Sequence, residues 1–377
     1  MMGFRSRSSK PERLEFVTAV IVTYLAASGK WFAAGERLPI IHGMDEPSWL
    51  LHGARLDWPA DWTAVFGRSA PLLLEIGFGG ADFLVDLARR RPEANVIGVE
   101  LSLPSLKKGA KKLQTAGLMN GRVVQGTGQL VLWALCRPDS LSEVTINFPD
   151  PWPKERHHGR RLINESFLHL LATRLKTGGR LDVATDHAGY AAWIARHLEQ
   201  SPYFASRLPT TYVHEDPERL TTKYEQKGFD EGRRGHYFKW QRNEMPAPNA
   251  FPVPKELPMP HVVLNSPLSL EEIGRRFTPQ SAAGDRVHVE LLEAYQSAHD
   301  GKLLVEAYIK EEPLTQRVGL VVRRRELGDL VVGLHELGFP RPTLGVQLAV
   351  ASLARWVVGL DPASAIVRSN VSVETGD

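Results

Sequence analysis

At 377 residues the chain can bury one large hydrophobic core or two smaller ones. Apolar residues make up 43% and charged residues 24%, an ordinary globular balance, and the net charge of only +3 confines any polyanion contact to local basic patches. Cys136 is the single cysteine, which excludes an internal disulfide or a thiolate metal cluster and points to a reducing, cytoplasmic compartment.

Residues 1–50 read as an N-terminal extension without a clear pattern. Within it, the apolar run from Phe16 stops after about ten residues, too short to span a bilayer, so no membrane association is expected. Arg5, Arg7, Lys10 and Arg13 upstream, with Ala26, Ala27 and Ser28 downstream, give it the outline of a signal peptide. A short helix or a misassigned start codon is the expectation, because nothing that follows looks secreted.

From 51 to 244, strand-like and helix-like segments alternate. LLLEIGFG, from Leu72, is a short apolar run ending in glycines, the form of a buried parallel strand. GADFLVDLARRRPE then puts Phe83, Leu84, Leu87 and Ala88 on one helical face and Asp82, Asp86, Arg89 and Arg90 off it. NVIGVE is a second strand, and SLPSLKKGAKKLQTAG a second helix capped by Ser102 and ended by Gly117. Lys107, Lys108, Lys111 and Lys112 share its polar side. RVVQG, SEVTINF and GRLDVATD continue the strands, with helices near 130–136, 163–176 and 188–199. Asp216, followed by Pro217, reads as a surface turn, and RRGHYFKWQR, from Arg233, as an edge hairpin closing the sheet. This alternation predicts an α/β, Rossmann-like doubly wound sheet, in which ligands sit beyond the carboxyl ends of the strands. Residues 245–260 carry six prolines and predict a semi-rigid linker. Residues 261–377 predict a smaller accessory α+β domain, with a basic knot at Arg323, Arg324 and Arg325 that could grip RNA, dimerise or stabilise.

The strand ends carry the chemistry. The first ends in Glu75-Ile76-Gly77-Phe78-Gly79-Gly80-Ala81-Asp82, where Asp82 stands in place of the third glycine of a pyrophosphate-binding loop. Gly77 and Gly79 permit a tight turn, while Glu75 would repel phosphate and attract a cationic group such as the ammonium of S-adenosylmethionine. Glu100, at the tip of the second strand, is where a carboxylate grips a ribose diol. The fourth strand runs into INFPDPWPKERHHGRRL, where Pro149, Pro151 and Pro153 stiffen a corner that presents Asp150. Asp186 ends the fifth. Beyond the corner, Lys154, Arg156, His157, His158, Arg160 and Arg161 form a basic ramp suited to phosphate. The two histidines have no carboxylate or cysteine at ligand spacing, so no metal is expected.

N-F-P-D-P-W-P-K followed by R-H-H-x-R-R-L, with E-I-G-F-G upstream, T-D-H at 185–187 and T-K-Y-E-Q-K-G at 222–228, resembles the bacterial tRNA guanine-N7 methyltransferase family over about residues 52–240. The resemblance implies a class I fold, S-adenosylmethionine as methyl donor and tRNA as partner, with N7 of the variable-loop guanine at position 46 as acceptor. It implies that Glu75, Glu100 and Asp150 bind the cofactor beside Gly77 and Gly79. Lys154, Asp186, Thr222, Lys223, Tyr224 and Glu225 match substrate-contacting positions, and Asp150 is the catalytic candidate. Where the family places Asp or Asn against adenine, this chain has Thr127, whose hydroxyl can donate and accept. Guanine N7 carries a lone pair and no proton, so its methylation needs positioning rather than a base. Asp186 or Glu225 is the expected holder of the guanine edge. The alternatives are a methyltransferase for another substrate, a NAD-linked oxidoreductase, disfavoured by Asp82, and a catalytically weak RNA-binding protein on the same fold. Monomer and homodimer both stay open.

Overall fold

A computed structural model describes residues 48–52, 56–254, 257–298, 301–337 and 340–371. The apolar run from Phe16 lies outside these residues, as does most of the 1–50 extension. Two sheets make up the described chain.

The first is eight-stranded: β1 (Leu50–His52), β2 (Leu72–Ile76), β3 (Asn95–Glu100), β4 (Gly121–Gln125), β5 (Leu141–Asn147), β6 (Leu175–Thr185), β7 (Phe204–Ser206) and β8 (His236–Arg242), in the order β1-β4-β3-β2-β5-β6-β8-β7. Pairing is parallel from β1 to β6, and β8 runs antiparallel to both β6 and β7. Every residue of β2 is buried, as a strand covered on both faces requires. The RRGHYFKWQR stretch therefore supplies the strand next to the edge, and β7 is the edge itself. β1 is a strand that the sequence pattern did not announce; it exists by pairing with β4.

Helices cover the faces. α1 (Trp62–Phe66) precedes β2. α2 (Asp82–Arg90) buries Phe83, Leu84, Leu87 and Ala88, the face its spacing predicts, and each large side chain so buried contributes roughly 1.5–3 kcal/mol. α3 (Leu103–Thr115) starts on Ser102, whose hydroxyl accepts from Ser105 N at 3.4 Å, and ends before Gly117 at φ +63°. After β4 come a short α4 (Gly128–Leu130), a π turn at Val131–Leu135, α5 (Glu165–Arg174), α6 (Ala188–Gln200) and α7 (Lys223–Asp230). The chain lays β3 and β4 on one side of β2, and β5 and β6 on the other. A crevice therefore opens beyond the carboxyl ends of β2 and β5.

The second sheet is antiparallel throughout: β9 (His261–Asn265), β10 (Gln280–Gly284), β11 (Val287–Gln296), β12 (Leu303–Glu311), β13 (Leu314–Arg324), β14 (Leu330–Leu334) and β15 (Ala365–Ser369), in the order β10-β11-β12-β13-β14-β9-β15. Alternate residues of β12 (Leu303, Val305, Ala307, Ile309) join Val346, Val350, Leu353 and Val357 of α9 (Leu344–Gly359) in one core. Its small helix α8 (Leu270–Arg275) carries a capping box from Ser269 and Glu272.

The two sheets share one compact unit, and the proline segment between them is pinned. Fully buried Arg174 donates to the carbonyls of Leu132, Trp133 and Phe251, and Trp133 Nε1 donates to Pro252 O at 2.9 Å. Arg341, from the second sheet's side, lies 4.4 Å over the Trp58 ring. Two charge assignments change in this setting. Asp216 is no free surface acid, because its carboxylate is 10% exposed and accepts from Lys239 Nζ at 2.7 Å. Two of the three arginines of the basic knot are engaged within the fold: Arg324 donates to Leu268 O and Gly328 O, and Arg325 pairs with Asp329.

Candidate functional site

Four adjacent strands, β3, β2, β5 and β6, bring Glu100, Glu75, Asp150 and Asp186 to the same sheet edge. Glu75 lies inside β2 and is 1% exposed. Asn147 Nδ2 donates to its Oε1 at 2.8 Å, while Oε2 has no hydrogen-bond partner among the described residues. Burial pushes its pKa up to about 7, against the lowering effect of the Asn147 hydrogen bond and the Arg219 charge, with Glu100 pushing it up further. A buried carboxylate with one oxygen left over is completed by a cationic donor, as an ammonium group would supply.

The turn above it is open on its outer side. Gly77 and Gly79 take φ of +75° and +49°, and a Cβ on either would meet nothing within 4 Å. Ala81, at φ +62°, completes the turn into α2. Glu100 ties this turn to the next helix: Oε2 accepts from Gly79 N at 3.1 Å, and Oε1 from Leu101 N and Ser102 N at 2.8 and 3.0 Å. Lys112 fastens the other end, donating to Gly80 O at 2.8 Å and pairing with Asp82 at 2.5 Å. So one lysine of the polar face of α3 is committed to the turn. Behind it, Gly98 leaves room for Leu84 and Phe78, which an added Cβ would approach to 2.5 and 2.7 Å. Thr127 caps α4, its Oγ1 accepting from Leu130 N at 3.1 Å, and keeps its hydroxyl proton to donate. These residues fit S-adenosylmethionine: an unsatisfied acid for its ammonium, a preorganised acid for its ribose, and a glycine turn that lets the ligand come close.

The corner after β5 is held in an uncommon shape. Phe148 and Trp152 both sit in the left-handed region, at φ +49° and +42°, a strain of roughly 1 kcal/mol or more each. Asp150 stands exposed between them. Arg161 braces the corner from beneath: it is 4% exposed, donates from Nε to Pro151 O at 2.9 Å, and packs over the Tyr190 and Trp193 rings at 5.1 and 4.9 Å. The ramp thus splits. Arg161 points inward, whereas Lys154, Arg156 and Arg160 remain exposed on or beside a 3₁₀ turn at Glu155–Arg160.

On the far side of the crevice, Asp186 pairs with Arg233, whose guanidinium lies 5.3 Å over the Tyr224 ring. Tyr224 is 51% exposed, and its ring centroid lies 5.2 Å from that of Phe148. Lys223 is exposed at the start of α7. Thr222 and Glu225 close a capping box there, with Thr222 N donating to Glu225 Oε2 at 2.8 Å. Glu225 turns inward: it is 2% exposed, and its Oε1 accepts from Arg219 Nε at 2.9 Å and Tyr237 OH at 3.4 Å. Of the acids expected to hold a guanine edge, Glu225 is engaged with Arg219 within the chain, and Asp186, whose side chain is 14% exposed, is paired with Arg233. Asn147, Arg219 and Arg233 received no role from sequence reasoning. Asn147 stood inside the proline-rich stretch and could have been singled out; Arg219 and Arg233 carry no local signal.

A parallel sheet wound in this order, an antiparallel β8 inserted beside β6, a glycine turn after β2 and an acid at the tip of β3 define the class I, Rossmann-like methyltransferase fold. Residues 69–237 match the family described as "Putative methyltransferase". The tRNA (guanine-N(7)-)-methyltransferase of Thermus thermophilus is 36% identical over 303 residues, covering 78% of this chain and 92% of that protein. The protein of the same name from Deinococcus radiodurans is 33% identical over 294 residues, covering 77% and 89%. The crystal structure of the 16S rRNA methyltransferase KamB superposes with a TM-score of 0.36 at 14% identity, covering 48% of this chain and 94% of that one. The chain belongs to the tRNA (guanine-N(7)-)-methyltransferase family.

Proposed function

We propose that the chain transfers a methyl group from S-adenosylmethionine to N7 of a guanine in tRNA, at variable-loop position 46. The observation that carries this is the row of four carboxylates on four adjacent strand ends, in a chain of this family. S-adenosylmethionine supplies an electrophilic methyl on a sulfonium. Glu75 takes its ammonium and Glu100 its ribose hydroxyls, with Gly77 and Gly79 allowing close approach and Thr127 donating toward adenine. Asp150, on its stiff corner, stabilises positive charge as it develops on the methylated imidazole ring. Asp186 accepts from guanine N1–H and the exocyclic amine while Tyr224 offers its face to the base. Glu225 and Thr222 hold the start of α7, and Lys223 and Lys154 meet flanking phosphates. Among the described residues no helix is long and apolar enough to cross a membrane, and a cytoplasmic site of action is part of the proposal.

The test is transfer of labelled methyl to unmodified tRNA, followed by digestion and nucleoside identification, with a transcript whose guanine 46 is replaced by adenine as control. Label in 7-methylguanosine that vanishes with the control supports the proposal in full. Label that persists moves the site but keeps the chemistry. Folded protein that binds cofactor and transfers nothing favours an RNA-binding role.

A further inference from the structure

We infer that Arg219 receives the α-carboxylate at the amino-acid end of S-adenosylmethionine, so that Arg219 and Glu75 together form a clamp for a zwitterion. This rests on the cofactor assignment above and extends it to a residue outside the strand ends.

Arg219 arrives from the connection between β7 and α7. Its side chain is 8% exposed, and its Nε is committed to Glu225 at 2.9 Å. Its Nη2 is buried and has no hydrogen-bond partner among the described residues. The guanidinium lies 4.6 Å from the ring centroid of Phe83, 5.7 Å from that of Tyr237 and 5.9 Å from that of Phe148. Those contacts locate the free donor. Phe83 stands in the first turn of α2, directly after the glycine turn, and Phe148 follows Asn147, the residue that holds Glu75. A lone cationic donor and a lone anionic acceptor thus flank one turn without pairing with each other among the described residues.

Leaving either group unmatched in the interior is unfavourable, so the arrangement is explained by a ligand that satisfies both. An amino acid's ammonium and carboxylate are such a pair, and a planar guanidinium matches the geometry of a carboxylate. A guanine edge fits less well here. The aromatic face open to a base, Tyr224, is 51% exposed, whereas the side chains of Arg219 and Glu75 are 8% and 1% exposed.

The experiment is calorimetric binding of S-adenosylhomocysteine and of its decarboxylated analogue to the full chain, in the wild type, R219M and R219K. The wild type is expected to bind the analogue about 10- to 100-fold more weakly, the worth of a hydrogen bond between charged groups. In R219M the gap closes to within about 3-fold, because the parent ligand weakens and the analogue does not. R219K keeps the charge but loses the fork and shows an intermediate gap; it decides the matter if R219M does not fold. A wild-type gap below about 3-fold, or a full gap in either variant, overturns the assignment of Arg219. A wild type that binds neither ligand overturns the cofactor assignment itself, an outcome distinct from binding without discrimination.

Discussion

Replacing Glu75 by glutamine should make the free protein more stable at pH 8 and a poorer cofactor binder at the same pH. In the folded chain the Glu75 pKa is raised from 4.5 to about 7, chiefly by burial. A carboxyl group whose folded pKa lies above its unfolded value contributes stability that is full below pH 4.5 and is lost as pH rises to about 7. Between pH 5 and pH 8 that loss amounts to roughly 2–3 kcal/mol, at about 1.4 kcal/mol per pH unit of difference. E75Q lacks this slope, so urea unfolding of the two proteins at both pH values should show the variant gaining that much on the wild type. Binding works in the opposite sense. An ammonium needs the ionised acid, which is about a tenth populated at pH 6 and about nine-tenths at pH 8 for a pKa of about 7. Affinity for S-adenosylhomocysteine should therefore be about 10-fold lower at pH 6 than at pH 8 in the wild type and flat in E75Q. Unfolding curves that run parallel across pH, together with a wild-type affinity that ignores pH, would refute the claim that Glu75 sits unmatched until the cofactor arrives.

Asp150→Asn should lower kcat/KM for tRNA by about 100-fold, on the scale of losing one preorganised electrostatic contact, at an unchanged thermal midpoint. Gly98→Ala puts a Cβ at 2.5 Å from Leu84 and 2.7 Å from Phe78. It should cost about 1–3 kcal/mol in urea unfolding, as an overpacked core does. Reversing Lys154, Arg156 and Arg160 to glutamate should raise KM for tRNA and flatten its salt dependence by up to about three in log–log slope, while S-adenosylhomocysteine binding stays within about 2-fold.

Much of the first sheet could be read from the sequence because its signals are local. The buried runs of β2 and β3 and the one-sided face of α2 each declare themselves within a dozen residues. β1 could not be read, since a three-residue strand exists only by pairing with β4, some seventy residues later in the chain. The antiparallel placement of β8 beside β6 is likewise a matter of pairing. Side-chain roles divide in the same way. Carboxylates at strand tips are visible as positions, whereas Arg161 looks like one more cation of a ramp until Tyr190 and Trp193 are seen beneath it. Arg219 is an ordinary loop arginine in sequence; rings from α2, β8 and the corner after β5 give it its surroundings. Asp216 and Arg325 were legible as charges but not as partners of Lys239 and Asp329.

The pairing of charges in the crevice also bears on how a cationic cofactor and a polyanionic substrate can share it. Uncompensated acids at four strand ends would repel tRNA phosphates across any gap shorter than the screening length of about 8 Å. Glu225 is matched by Arg219 and Asp186 by Arg233, so those two acids present little net charge outward. Glu75 hydrogen-bonds to the neutral Asn147 amide and feels the Arg219 charge without pairing with it, and its Oε2 has no hydrogen-bond partner among the described residues. The exposed cations, Lys154, Arg156, Arg160 and Lys223, stand at the rim. In the proposed function, a cation is drawn inward and phosphate held outward by the same set of residues. Under the same proposal, a guanine edge that reaches Asp186 takes over the hydrogen bond now made by Arg233, whose guanidinium lies 5.3 Å over the Tyr224 ring.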